Sequence, residues 1–333
     1  MKRVHRNQDK MKTLFVKNLK VGSEITEFFV LRKKEFKETF EGQKFLKLEL
    51  GDKTGRVDGV VWDNPEEIYN QAEAGEIVKV KGWVSSYKGE LQIKVERLKK
   101  ASEGEADPAD FLPASEKDLE SLICEFKEIT ATIENIHLRK ILQLILDDPS
   151  ITPGLKVAPG GKLWHHAYVG GLLEHTLKVA DICEKAAGLY GLINRDLLIT
   201  GALAHDLGKI RAYSSKGFFD YTDEGRLIGH IVSGVELIDQ KLGMIEDFPP
   251  DLALQLKHLI ISHHGELEFA SPVVPMTIEA IVLHYADEMD AKVDAFAHII
   301  KTQKIKGKRW SDWVHLINRY IYLGDEEEDK DLN

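Results

Sequence analysis

The stretch "ALAHDLGK", Ala202 to Lys209, sets an imidazole and a carboxylate side by side at the end of an apolar run. Around it stand His165, His166, His175, His230, His263, His264 and Asp287, within "WHHAYVGGLLEHTLKVAD", "RLIGHIVSG", "LIISHHGE" and "HYADEMDAK". Each falls in or beside an apolar helical pattern. One buried histidine is ordinarily a hydrogen-bonded core residue. Burying so many ionisable groups separately would cost several kcal/mol apiece, whereas a shared divalent cation compensates them together. A metal centre is the economical explanation. Imidazole with carboxylate and without thiolate favours Mn, Fe or Co over Zn, and argues against Mg alone. Cys124 and Cys183 lie far apart with no CxxC spacing, so they indicate neither a disulfide framework nor a thiolate site and read as core packing.

The order of these residues resembles the HD superfamily of metal-dependent phosphohydrolases: a histidine, an adjacent His-Asp pair, then a distant aspartate. His175, the pair His205-Asp206 and Asp287 fill that pattern, 30 positions separating the first two histidines and 81 the two aspartates. The resemblance implies one ion on His175, His205, Asp206 and Asp287. In dinuclear relatives a histidine after the pair and a later double histidine hold a second ion, with the aspartate bridging. By position these are His230, His263 and His264, His264 being either a ligand or a residue behind the ligands. Trinuclear relatives carry a Glu four residues before the first histidine; here that position is Gly171, so a third ion is not expected. Glu174 points about 100° around the helix from His175 and reads as structural. Two ions roughly 3.5 to 4 Å apart would generate a bridging hydroxide near neutral pH for in-line phosphoryl displacement, with Asp206 at the centre. Gly208 permits close approach. In the HDxGK context Lys209 is read, with Asp206, as a catalytic residue whose charge is aimed at the non-bridging phosphate oxygens of the substrate, the alternative being a lysine that satisfies a helix C-terminus.

Helices must hold these groups, and the second half of the chain supplies them. "SEKDLESLICEFKEITATI", with Ser115 as an N-cap, and "LRKILQLILDD" follow the helical period. Near the end "KRWSDWVHLINRYIYL" reads as an amphipathic helix whose Trp310, Trp313 and Ile317 seal the core or a subunit contact, the latter implying a homo-oligomer. Asp290 and Asp294 follow Asp287 by three and seven residues, facing the site or solvent.

The front of the chain reads differently. Between Ile25 and Leu98, "ITEFFVLRKKEF", "KFLKLELGD", "GRVDGVVWD", "EIVKVKGWVSSY" and "LQIKVERL" approximate polar/apolar alternation and predict five strands, with the helical piece "PEEIYNQAEAG" between the third and fourth. That is the order of an OB-fold barrel. The stretch resembles the nucleic-acid-binding OB domains related to tRNA anticodon-binding modules. The expected fold is therefore two-domain: an N-terminal all-β OB-fold barrel and a C-terminal all-α helical bundle of the HD type. The expected boundaries are a basic extension over 1–12, the barrel over 13–100, a small, acidic, proline-containing linker over 101–117, the HD domain over 118–323 and an acidic tail over 324–333.

A length of 333 residues, 43% of them hydrophobic, fills two cores. No apolar run approaches the roughly 20 residues of a membrane span, and the basic start lacks the apolar core of a signal peptide, so a cytoplasmic location is expected. The net charge of -10 is uneven: residues 1–100 carry an excess of +6 and the remainder -16. Only the front end is suited to face a polyanion.

The segment "WHHAYVGGLLEHTLKVAD", the reading "YTDEGRLIGHIVSG" and an OB module ahead of an HD domain together resemble the YhaM family of 3'-5' exoribonucleases. The resemblance implies metal-dependent release of nucleoside 5'-monophosphates from the 3' end of single-stranded RNA, single-stranded DNA sometimes being accepted, with Mn or Co as activator. A basic barrel would hold the strand through charge and base stacking. Of the barrel aromatics Phe36, Phe45, Trp62, Trp83 and Tyr87 several are expected to fill the core, and Phe36 and Trp62, near strand ends, are the stacking candidates. Trp164 and His166 precede the first ligand helix and line a nucleotide pocket or pack the loop. Two rivals remain at this stage. One is a hydrolase of small nucleotides such as cyclic dinucleotides or dinucleoside polyphosphates, although "SHHGELEFASPV" lacks the GYP segment of cyclic-di-GMP-cleaving relatives. The other is a nucleic-acid-binding protein with a structural metal.

Overall fold

The computed structural model describes residues 12–102, 104–107, 110–161, 166–214, 218–304, 308–315 and 317–324. The chain divides into two compact units, Met1–Ala114 with Ser214–Asp220, and Ser115–Tyr213 with Tyr221–Asn333.

The first unit is a closed barrel of β1 (Glu24–Glu38), β2 (Lys44–Asp52), β3 (Gly55–Val61), β4 (Ile77–Tyr87) and β5 (Glu90–Lys100), ordered β1-β2-β3-β5-β4, with α1 (Pro65–Tyr69) between β3 and β4. Period-two alternation drives it. In β2, Leu46, Leu48 and Leu50 turn inward and are buried, while Lys47 is exposed on the other face. β3 and β5 pair in parallel and every other pair is antiparallel, so closure leaves no unpaired edge. The core is Phe29 with aliphatic side chains from all five strands. The aromatics expected to fill it do not: Trp83 and Tyr87 are exposed and Phe45 is half-buried. Within the stretch expected as a linker, Phe111 and Leu112 are buried and Asp110 accepts from Lys53 Nζ at 2.9 Å.

The second unit is helical: α2 (Leu119–Ala131), α3 (Ile136–Leu146), α4 (Thr152–Val157), α5 (Gly171–Leu189), α6 (Arg195–Ala204), α7 (Lys209–Ala212), α8 (Asp223–Leu227), α9 (His230–Leu242), α10 (Pro250–Ser262) and α11 (Ile278–Gln303). α2 starts later than Ser115: Asp118 is its N-cap and accepts from Ser121 N, while Ser115 donates its hydroxyl to Glu174. One core joins α2, α3, α5, α6, α9, α10 and α11. Cys183 lies in it, but Cys124 is on the exposed side of α2 and is no part of the packing.

The predicted terminal helix is a β-ribbon instead. Trp310 bridges Tyr322 and Val314 bridges Arg319, with Asn318 at φ 52° in the turn. Residues alternate in and out: Ser311, Val314, Ile321 and Leu323 are buried, whereas Trp310, Trp313, Tyr320 and Tyr322 are exposed. Val314, Ile317 and Ile321 pack with Ile299 of α11, which assigns Ile317 to a small core. Cross-strand aromatic pairs, Trp310 with Tyr322 and Trp313 with Tyr320, favour the ribbon over the helical reading. Among the described residues no helix is long and apolar enough to cross a membrane.

Candidate metal centre

Five helices deliver the seven groups. His175 lies in the second turn of α5 and Asp287 in the middle of α11, while His205 and His263 occupy the C-cap positions of α6 and α10. The two C-cap histidines use the same local device. Nδ1 of His205 lies 2.8 Å from the Ala202 carbonyl, and Nδ1 of His263 lies 2.6 Å from that of Ile260, each three residues back. A proton on Nδ1 donated to a carbonyl leaves the Nε2 lone pair as the ligand. His175 reaches the same state differently: its Nδ1 is 2.7 Å from Asp290 Oδ2. His230 is the first residue of α9, brought in because Gly208 lets that helix start against the His-Asp turn. A Cβ at Gly208 would fall 1.9 Å from the His230 carbonyl oxygen.

The geometry divides around Asp206. Its Oδ2 faces His205 Nε2 at 3.3 Å and His175 Nε2 at 3.5 Å, and its Oδ1 faces His230 Nε2 at 3.4 Å and His263 Nε2 at 3.5 Å. Asp287 Oδ1 lies 3.1 Å from His175 Nε2 and 3.9 Å from His205 Nε2. The rings of His264 and His263 are 4.5 Å apart, and those of His264 and His230 5.1 Å. Two groups, His175 with His205, Asp206 and Asp287, and His230 with His263 and His264, each place one ligand atom per residue within 4.8 Å of the others.

Whether a cation fits is decided by the atoms left over. Asp206 Oδ1, His230 Nε2 and His263 Nε2 are buried and make no hydrogen bond, although they converge. An unmade buried polar bond costs about 1–3 kcal/mol per group. Three such atoms pointing at one another, with His263 Nδ1 and Asp206 Oδ2 already engaged by the Ile260 carbonyl and Lys209, form a socket that suits a divalent ion. Electrostatics agree. Burial pushes the His230 imidazole well below its ordinary value, keeping its lone pair available. Asp206 is held far down: burial would raise it, but Lys209, His205 and His175 together outweigh that. Asp287 is likewise depressed by His175 and His205 against its burial. Burial also lowers His175, yet its bonds to Asp206, Asp287 and Asp290 outweigh it and raise the group well above its usual range. A cation among the same carboxylates replaces that proton.

The remaining candidates are placed as follows. Lys209 is buried, with Nζ 2.5 Å from Asp206 Oδ2 and 2.5 Å from the Gly160 carbonyl, so its charge is spent on the central carboxylate. His166 is buried behind His175: Nε2 is 2.8 Å from Asp290 Oδ2 and Nδ1 is 2.7 Å from the Tyr168 hydroxyl, which donates to Glu174 at 2.9 Å. Its backbone has φ 45°, and its amide donates to Asp294 Oδ2 at 2.8 Å. A Cβ on Gly171 would come 2.0 Å from the His166 carbonyl, a steric reason for glycine where trinuclear relatives carry Glu. Trp164 and His165 lie outside the described residues. Phe36 and Trp62 are 43% and 40% exposed, Phe36 stacked on Tyr69 with ring centres 4.8 Å apart and Trp62 on Phe45 at 4.7 Å. Asp290 is the residue the sequence undervalued. Its one signal is its place three residues after Asp287, on the same helical face.

Comparison with known proteins follows the same division. A family model for the HD domain matches residues 172–292, and one described as an OB-fold nucleic acid binding domain matches residues 29–101. The 3'-5' exoribonuclease YhaM of Geobacillus sp. (strain WCH70) is 30% identical over 315 residues, covering 91% of this chain and 92% of the relative. Among solved structures, a domain of replication protein A from Methanococcus maripaludis is 22% identical with a TM-score of 0.24, covering 27% of this chain and 97% of that one. A helical HD domain holding histidine and aspartate clusters, an OB-fold ahead of it and near-complete coverage of one relative lead to one assignment: the chain belongs to the YhaM family of 3'-5' exoribonucleases and is a hydrolytic nuclease.

Proposed function

We propose that this chain removes nucleotides one at a time from the 3' end of single-stranded RNA as nucleoside 5'-monophosphates, accepts single-stranded DNA as a second substrate, and works with two divalent ions, Mn foremost. His175, His205, Asp206 and Asp287 would hold one ion, and Asp206, His230, His263 and His264 the other. The observation that carries this reading is the division of one buried carboxylate, Asp206 turning one oxygen to each histidine set. Ions bound there would lower the pKa of water and neutralise charge on the scissile phosphate.

The chain's own groups do the rest. Lys209 and the neighbouring imidazoles keep Asp206 anionic, so it remains a ligand rather than an acid. Asp290 fixes the His175 ring, and the carbonyls of Ala202 and Ile260 fix His205 and His263. Preset ligand orientation removes a reorganisation cost when the site is loaded. The barrel's exposed aromatics, Phe36 and Trp62, suit a strand whose bases are unpaired. A 5'-labelled single strand incubated with Mn tests the reading. Progressive shortening with release of mononucleotides is expected, and intact RNA across a range of divalent metals overturns it.

A further inference from the structure

The C-terminal ribbon carries a feature the nuclease centre does not use. Trp310, Trp313, Tyr320 and Tyr322 are 55%, 40%, 56% and 44% exposed, and all four stand on the outer face. They form two cross-strand pairs, Trp310 with Tyr322 at 5.3 Å between ring centres and Trp313 with Tyr320 at 5.0 Å. Solvent-facing aromatics in such density are not needed for packing: the inner face, through Val314 and Ile321, already covers Ile299. The surrounding charge is equally uneven. From Lys301 to Arg319 the sequence carries Lys301, Lys304, Lys306, Lys308, Arg309 and Arg319 against Asp312, and the acidic tail begins beyond the ribbon at Asp325. Asp312 is paired with Lys308 at 3.0 Å, and the Arg309 guanidinium lies 5.6 Å from the Tyr322 ring centre.

We propose that this ribbon is a second binding site for single-stranded nucleic acid, on which bases stack against the Trp/Tyr face while the basic run meets the phosphates. It rests on the reading of the chain as a single-strand nuclease but uses different residues. Aromatic faces tolerate any base, and a neighbouring positive run supplies sequence-independent attraction. The ribbon packs on α11 at Ile299, about 18 Å along that helix from Asp287 at 1.5 Å per residue. It therefore suits nucleotides well upstream of the 3' end and not the terminal one.

Substrate length provides the test. In the full chain loaded with Mn, Trp310→Ala with Trp313→Ala should raise KM about tenfold for single-stranded RNA of about 20 nucleotides, and leave kcat and the turnover of oligomers of about 4 nucleotides unchanged. Trp310→Phe with Trp313→Phe, which keeps a stacking face, should restore the long-substrate KM. Affinity for a long oligomer ending in a cleavage-resistant phosphorothioate, read by fluorescence anisotropy, should fall in parallel with the alanine pair. That binding measurement stands even if the chain cleaves nothing, and inertness towards short oligomers would count against the nuclease reading alone. Unchanged long-strand affinity in the alanine pair overturns the proposal. So does an affinity change that appears only as the oligomer state shifts in light scattering, which would assign the face to a second copy.

Discussion

Asp206 concentrates the dependence of the whole site, since four imidazoles lie within 3.5 Å of its two oxygens. Asp206→Asn keeps the shape but removes the charge both clusters share. Activity should drop by on the order of 10³ or more, because groups acting as a unit fail together. Metal analysis of the purified variant should show fewer than two ions per chain; full occupancy with full activity would refute the bridging role. Asp290 acts at one remove. Its carboxylate accepts from His175 and His166, so Asp290→Asn should weaken metal affinity or activity by about 10–100-fold, as loss of a partner behind a metal ligand does. Activity titrated against Mn reads this, and the thermal midpoint should move little. That these histidines and aspartates would come together was legible in the sequence, because residue type and order survive without coordinates. The contacts of Asp290, His166 and Lys209 were not, since each depends on which buried atom a side chain meets.

Helix ends do the positioning, and two of them repeat one solution: a histidine at the C-cap, its Nδ1 turned back to the carbonyl three residues earlier. Gly208 is the hinge of this arrangement. Any Cβ there meets the His230 carbonyl and the Gly234 amide nitrogen, at 1.9 and 2.5 Å, so α9 must move away. Gly208→Ala should cost about 1–3 kcal/mol of stability, as overpacking does. It should also lower affinity at the His230, His263 and His264 cluster more than at the other, a split readable from the two phases of a metal titration. An unchanged melt and unchanged titration would show that α9 is not held by this contact. Elements were legible where one period dominates, as in the barrel strands and the long helices. They misled where two signals overlap: the ribbon holds enough apolar residues to mimic a helical stripe.

Charge separates the halves of the molecule more sharply than fold does. Residues 1–100 hold an excess of +6, but many of those cations already face carboxylates, Lys47 with Asp58, Lys81 with Glu24 and Lys100 with Glu76 among them. Net excess, rather than the number of lysines, therefore limits how many phosphates the front end can neutralise. Each phosphate neutralised on a single strand contributes a slope of about -0.7 in log affinity against log salt, so this excess bounds the front end's own share near -4. The prediction is that KM for long single-stranded RNA rises steeply with salt, while kcat stays nearly flat, because the buried ligand set is screened far less than an exposed surface. Stacking separates from charge in the same experiment. Trp62→Ala removes a face that is 40% exposed and stacked on Phe45, so it should raise KM at every salt concentration by a similar factor and leave the slope intact. A variant that instead flattens the slope would mean Trp62 acts by holding a basic surface in place. A salt-independent KM in the unaltered chain would remove charge from substrate capture altogether, on the barrel and on the ribbon alike.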